Sequence, residues 1–168
     1  MKARPRTIYL VRHAIAAERG PAWPDDTKRP LTPKGVARMR RVVRGLRELG
    51  VSVDVVLTSP LARAKQTAEL LVEGLKPAPA LNVVASLSPG IAAAKMAETL
   101  SGFKRSQVLA LVGHEPGLGE LACWLIGSKA PVPFRKGGIC RIDVPASSPN
   151  GSGQLIWLAT PGMLRRVR

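Results

Sequence analysis

The chain has 168 residues, 45% hydrophobic and 22% charged, which is enough apolar material for one core and too much for intrinsic disorder, so a single domain over 1–168 is expected. Lysine and arginine outnumber acids 26 to 11 for a formal charge of +15, which favours phosphate-bearing or acidic partners. Aromatics are only 4% of the chain, too few for stacking on bases, and no apolar run reaches the ~18 residues of a membrane helix, so nucleic acid is disfavoured and a spanning helix excluded.

The basic start Met1 to Arg6 and the apolar Ile8 to Val11 imitate a secretory leader, with Ala14-Ile15-Ala16 in the place of a cleavage site. Arg12 and His13 cut the apolar region short of the ~7 residues a leader needs, so it reads as a first strand of a cytoplasmic protein. Cys123 and Cys140 are too few for a disulfide framework, and buried, reduced thiols are expected.

Thr7 to Val11 is the first strand, nearly all apolar as in a sheet covered on both faces. A broken polar loop follows to Leu31. Thr32 as cap and Pro33 at the first position then open a helix in which Val36, Met39, Val43, Leu46 and Leu49 recur at helical spacing, and Gly50 stops it. Val53 to Leu57 is the second strand; Ser59 as cap and Pro60 open the next helix, with Leu61, Ala64, Ala68, Leu71 and Leu75 facing inward. A short third strand at Leu81 to Val84, a helix at Ile91 to Leu100, a fourth strand at Gln107 to Val112 and a helix at Glu115 to Ile126 come next. Gly138 to Val144 and Gln154 to Ala159 form a terminal hairpin, and the tract Ser147 to Gly153 between them reads as disordered. This alternation predicts an α/β fold with a largely parallel sheet and an antiparallel hairpin at one edge.

Chemistry concentrates at strand ends. The chain's two histidines, His13 and His114, each follow an apolar strand, and in a parallel sheet ligands bind beyond the carboxyl ends of strands. Arg63 falls in the first turn of a helix, where a cation opposes the helix dipole by up to ~1 kcal/mol unless an anion binds there. Arg12, a charge at the end of a buried strand, also needs a partner. Two arginines and two histidines around one crevice suit a dianionic phosphoryl group, with an imidazole as nucleophile. Carboxylates for a metal centre are missing, Asp54 alone standing near a strand, so no metal or other cofactor is expected.

Arg12-His13-Ala14, the run Arg29 to Gly35, the run Ser59 to Ala68, and Val112-Gly113-His114-Glu115-Pro116 together resemble the histidine phosphatase superfamily, and within it the SixA-type phosphohistidine phosphatases. The likeness runs from about Ile8 to Ile126 and more weakly to Thr160. It implies a phosphoglycerate mutase-like three-layer αβα sandwich. It further implies that His13 takes the phosphoryl group covalently while Arg12, Arg63 and His114 bind its oxygens, without a metal. The implied substrate is the phosphohistidine of a signalling protein, with a small phosphomonoester as the alternative; a monomer without membrane association is expected. Two departures stand out: Arg-His-Gly of the family is Arg-His-Ala here, and Ser86 stands where similar members carry a glutamate as general acid. Glu18 and Glu115, with Asp25 and Asp26 behind them, are the candidates to replace it. A chain without that acid suits phosphohistidine or aryl phosphates better than alkyl esters, whose leaving group needs a proton.

Other readings carry less weight. Gly117 to Ala122 matches the dinucleotide pattern G-x-G-x-x-A, with Asp143 about 20 residues on, but only a hairpin follows it and packing glycines are the simpler reading. Arg38, Arg40, Arg41, Arg44 and Arg47 could track nucleic-acid phosphates or simply be a solvated helix face. A cysteine nucleophile is disfavoured because no arginine-rich loop follows Cys123 or Cys140.

Overall fold

The computed structural model describes residues 5–145 and 150–168. Strands β1 (Arg6–Arg12), β2 (Val55–Thr58), β3 (Ala80–Val83), β4 (Val108–Gly113), β5 (Ile139–Val144) and β6 (Gln154–Ala159) form one sheet in the order β3-β2-β4-β1-β5-β6. β3, β2, β4 and β1 run parallel, and β5 and β6 close one edge antiparallel. Helices α1 (Pro33–Glu48), α2 (Ala62–Gly74) and the short α5 (Pro161–Leu164) cover one face, and α3 (Ala93–Glu98) and α4 (Gly117–Ile126) the other. The predicted three-layer α/β architecture is the one observed.

Strand alternation creates the two cores. Tyr9 and Val11 face α1 and α2, whereas Ile8 and Leu10 face α3 and α4, and all four are buried. Met39, Val42, Val43 and Leu46 on the inner stripe of α1 are at most 2% exposed, each stabilising the fold by roughly 1.5–3 kcal/mol. This outweighs the helix's own propensity, and its start is set by Thr32, whose Oγ1 accepts from the Gly35 N–H at 2.9 Å, with Pro33 next in line.

Several expectations shift. Ser59 is not the N-cap of α2: Leu61 takes that position without a side-chain cap bond, while Ser59 Oγ accepts from the Leu61 N–H and also lies beside His114 Nε2. The helix foreseen over 91–100 is α-helical only through Glu98 and tightens into a 3₁₀ segment over Thr99–Phe103. All four residues of β3 are exposed at the sheet edge, and α5 had no periodic signal in its four residues. Ser147, Ser148 and Pro149 lie outside the described residues. Asn150 to Gly153, expected to be disordered, form a turn in which the Gly151 and Gly153 N–H groups donate to the Trp124 and Leu125 carbonyls at the end of α4. Both thiols are free as expected; Cys140 is buried, which pushes it up to about 12, while Cys123 is only half-buried and donates to the Ser128 carbonyl. Among the described residues no helix is long and apolar enough to cross a membrane.

Candidate active site

β1 and β4 are adjacent and parallel, so the residues just past their carboxyl ends come together. The rings of His13 and His114 lie 5.2 Å apart, and each side chain is almost fully buried. His13 Nδ1 stands 2.8 Å from the Ala14 carbonyl oxygen, a partner that can only accept. Nδ1 therefore carries the proton and Nε2 keeps its lone pair. Burial, then the charges of Arg63, Arg12 and Lys136, lower His13 to about 4 against the Ala14 bond, so the ring is neutral at pH 7. Alanine is accommodated in place of the expected glycine: no described non-glycine residue has a positive φ, and the Ala14 N–H donates to Thr67 Oγ1 at 3.0 Å.

His114 Nε2 lies 2.8 Å from Ser59 Oγ, which itself accepts from the Leu61 N–H. With the Ser59 hydroxyl donating to Nε2, the ring's own proton sits on Nδ1. Burial, then the proximity of His13 and Arg63, lower His114 to about 3. Arg63 rises from the first turn of α2 and is 2% exposed. Arg12 ends β1, and its Nη1 donates to the Phe134 carbonyl at 2.7 Å. Among the described residues, the buried side-chain nitrogens or oxygens without a partner are Arg12 Nε, Arg63 Nε and His114 Nδ1. All three belong to this cluster, and a buried unpaired donor costs ~1–3 kcal/mol unless an acceptor binds.

The cluster borders a pocket of about 380 Å³ that also involves Glu18, Arg19, Arg29, Glu115 and Lys136. Loop 14–32 shapes one wall. It is pinched at its base by the Ala16–Leu31 bridge and by the Leu31 N–H donating to Gln66 Oε1. Its 3₁₀ turn, Asp26–Lys28, carries Asp26 onto Arg63. The opposite wall is the loop over 134–138, tied down where the Gly137 N–H reaches the carbonyls of Arg12 and His13.

The acid candidates separate. Glu115 borders the pocket, but its Oε1 accepts from the Phe134 N–H at 2.8 Å and its Oε2 from the Gly119 N–H at 3.2 Å. It positions the loop that receives Arg12. Glu18 is exposed at the pocket and has no side-chain partner among the described residues. Asp25 caps the 3₁₀ turn. For Asp26, burial opposes ionisation, but the Arg29 hydrogen bond and the charges of Arg63, Arg29 and Arg19 outweigh it and hold the carboxyl below its usual range. Ser86 is absent from the pocket lining because its hydroxyl pairs with Thr99 Oγ1.

Sequence reasoning missed Asp26 as the partner of Arg63, and Arg29, Ser59 and Lys136 as site neighbours. The run Arg29 to Gly35 was visible as a motif, yet only the fold shows Arg29 buried, donating to the Ala17 carbonyl and Asp26. Nothing local marked Lys136, 22 positions after His114. Asp54 lies at the opposite end of the sheet, accepting from the Gln107 and Val108 N–H groups. Gly117 and Gly119 are packing glycines: a Cβ would meet Met96 Cε at 2.6 Å in one case and the Val132 carbonyl oxygen at 2.5 Å in the other. The described residues hold no cluster of three or more His, Cys, Asp or Glu fit for a metal ion.

Residues 8–87 match the histidine phosphatase superfamily (branch 1). The chain is 41% identical over 121 residues to an uncharacterised protein of Picosynechococcus sp., covering 68% of this chain and 70% of that one. It is 27% identical over 165 residues to the phosphohistidine phosphatase SixA of Escherichia coli, covering 96% and 98% of the two. A structure of the protein histidine phosphatase SixA complexed with tungstate aligns with a TM-score of 0.84 at 26% identity over 94% of this chain and 99% of that one. The strand-end histidines, the sheet order and these similarities together establish that the chain belongs to the histidine phosphatase superfamily, is SixA-like within it, and is a phosphatase by family.

Proposed function

We propose that the protein removes the phosphoryl group from phosphohistidine in a protein substrate through a covalent phosphohistidine formed on its own His13, with no metal. The observation that carries this is the bond of His13 Nδ1 to the Ala14 carbonyl, which leaves a neutral imidazole with Nε2 as a free nucleophile beside Arg12, Arg63 and His114.

His13 Nε2 attacks phosphorus as the bond to the leaving group breaks. Arg12 Nε, Arg63 Nε and His114 Nδ1–H are the donors left for the three phosphoryl oxygens, whose negative charge they stabilise in the transition state. Water then attacks phosphorus in the phosphoenzyme, releasing inorganic phosphate and restoring His13. An imidazole leaving group protonated on its distal nitrogen departs neutral and needs no further acid. Asp26 and Glu115 are engaged elsewhere in the fold, which leaves Glu18 as the remaining acid candidate at the pocket and favours a substrate that needs no acid over alkyl phosphomonoesters. The name of the 27% identical E. coli relative points the same way, as does the tungstate in the solved relative, a tetrahedral oxyanion like phosphate.

Rapid-quench experiments with labelled phosphohistidine peptide test the reading. The wild type should accumulate an acid-labile, base-stable phosphoenzyme, and His13→Ala should form none and lose turnover. An acid-stable adduct, or turnover in His13→Ala, would overturn the mechanism; faster hydrolysis of alkyl phosphomonoesters than of phosphohistidine would overturn the substrate.

A further inference from the structure

A second pocket, of about 360 Å³, opens beside the catalytic one and shares Arg12 and Lys136 with it. Arg38, Arg135 and Arg165 complete its charged wall, and its lining contains neither a carboxylate nor an aromatic ring. Beyond it the basic surface continues to Arg41, Arg44 and Arg168, where Glu48 is the one acid.

The fold forces these cations together. A Cβ at Gly35 would overlap the Ile15 carbonyl oxygen, so α1 sits directly on the loop that follows His13, with Arg38 one turn further on. A Cβ at Gly45 would overlap the Leu164 carbonyl oxygen, so α5 sits on α1 and brings Arg165 alongside. Burial, then the charges of Arg38, Arg41 and Arg166, lower the proton affinity of Arg165. Arg40 on the same helix has an ion-pair partner in Glu73. By contrast, among the described residues no carboxylate pairs with Arg38, Arg41, Arg135, Lys136 or Arg165. Clustered like charge without a counterion opposes folding and is relieved by an anionic partner.

We propose that this basic belt docks the acidic surface of a protein substrate, seating a carboxylate in the second pocket while the phosphoryl group occupies the catalytic one. The proposal rests on the reading that the substrate is a phosphorylated protein. A small ligand would use one pocket and leave the belt along α1 and the C-terminus without a role. The lack of aromatic rings in the lining of the second pocket and in the basic surface beyond it disfavours single-stranded nucleic acid, which stacks on such rings.

The test measures binding of a labelled, unphosphorylated peptide carrying Asp and Glu around one histidine, of its Asn/Gln counterpart, and of a DNA duplex, by fluorescence anisotropy. Binding of the acidic peptide should be about tenfold tighter than that of the neutral one at about 50 mM salt and should weaken steeply at about 300 mM. Arg38→Glu/Arg165→Glu, and less strongly Arg38→Gln/Arg165→Gln, should abolish that preference while aryl phosphate hydrolysis stays within about twofold, since neither residue borders the catalytic pocket. Equal binding of the two peptides, a preference surviving charge reversal, or tighter binding of the duplex than of the acidic peptide at about 150 mM salt would overturn the docking proposal. Acidic-peptide docking without phosphohistidine hydrolysis would instead count against the proposed reaction alone.

Discussion

Arg63 is held by a single residue through two bonds: its Nη2 donates to Asp26 Oδ2 at 3.0 Å and its Nη1 to the Asp26 backbone carbonyl at 2.9 Å. The grip leaves Nε unpaired, so Asp26 fixes which edge of the guanidinium is offered to a ligand. Because Asp26 also receives Arg29 Nε, one carboxylate orients two buried arginines from a loop 37 residues upstream of Arg63.

Asp26→Asn should therefore lower kcat about tenfold with KM nearly unchanged or reduced, since the guanidinium loses its aim while the pocket loses a negative charge. Steady-state kinetics with an aryl phosphate measure the split. A fall in KM at constant kcat would show that Asp26 only tunes the field and does not position Arg63.

Glu18 borders the pocket with no side-chain partner among the described residues, which makes it the carboxylate to test as the acid for a poor leaving group. Glu18→Gln should slow alkyl phosphomonoesters about tenfold or more and leave aryl phosphates and phosphohistidine nearly unaffected. An equal effect on all three would remove Glu18 as an acid. Ser86→Glu should rescue nothing, because position 86 is directed at Thr99, and loss of that hydroxyl pair should cost about 1 kcal/mol.

Acid should weaken the fold through the two imidazoles. Each titrates near 6.5 in the unfolded chain but near 4 (His13) and 3 (His114) in the folded one. Between those values the unfolded chain binds protons that the folded chain does not, so stability is full above about pH 7 and falls as the pH drops towards 4. From these shifts the loss should be on the order of 5 kcal/mol at about pH 4.5, read as the shift of a urea midpoint in phosphate-free buffer. His13→Asn/His114→Asn should lose markedly less; an equal loss would assign the acid sensitivity to carboxylates.

Gly35→Ala should destabilise by roughly 1–3 kcal/mol, because a methyl group cannot coexist with the Ile15 carbonyl without moving α1 off the loop behind His13. A thermal midpoint lower by about 2–12 °C is expected, accompanied by reduced kcat/KM. An unchanged midpoint would contradict the close approach of α1 to that loop.

Local chemistry was enough to read the strand-helix alternation, the cap at Thr32 and the placement of both histidines at strand ends, since each depends on neighbours within a few positions. Apolar periodicity over β1, β4 and α1 decides which residues must leave water, and burial at ~25 cal/mol per Å² dominates those segments. The family motifs, being contiguous, were equally legible. What local pattern could not decide was which polar groups meet across the fold. The Ser59 hydroxyl joins His114 to the start of α2 without being its N-cap, and Ser86 turned away from the crevice towards Thr99, because each could satisfy its hydrogen bonds in more than one direction. Asp26 and Arg63, 37 positions apart, and Arg38 and Arg165, 127 apart, are brought together by loop pinning and by two glycine contacts along α1. Such pairings are set by the geometry of packed backbones, which a one-dimensional pattern of residue types does not encode.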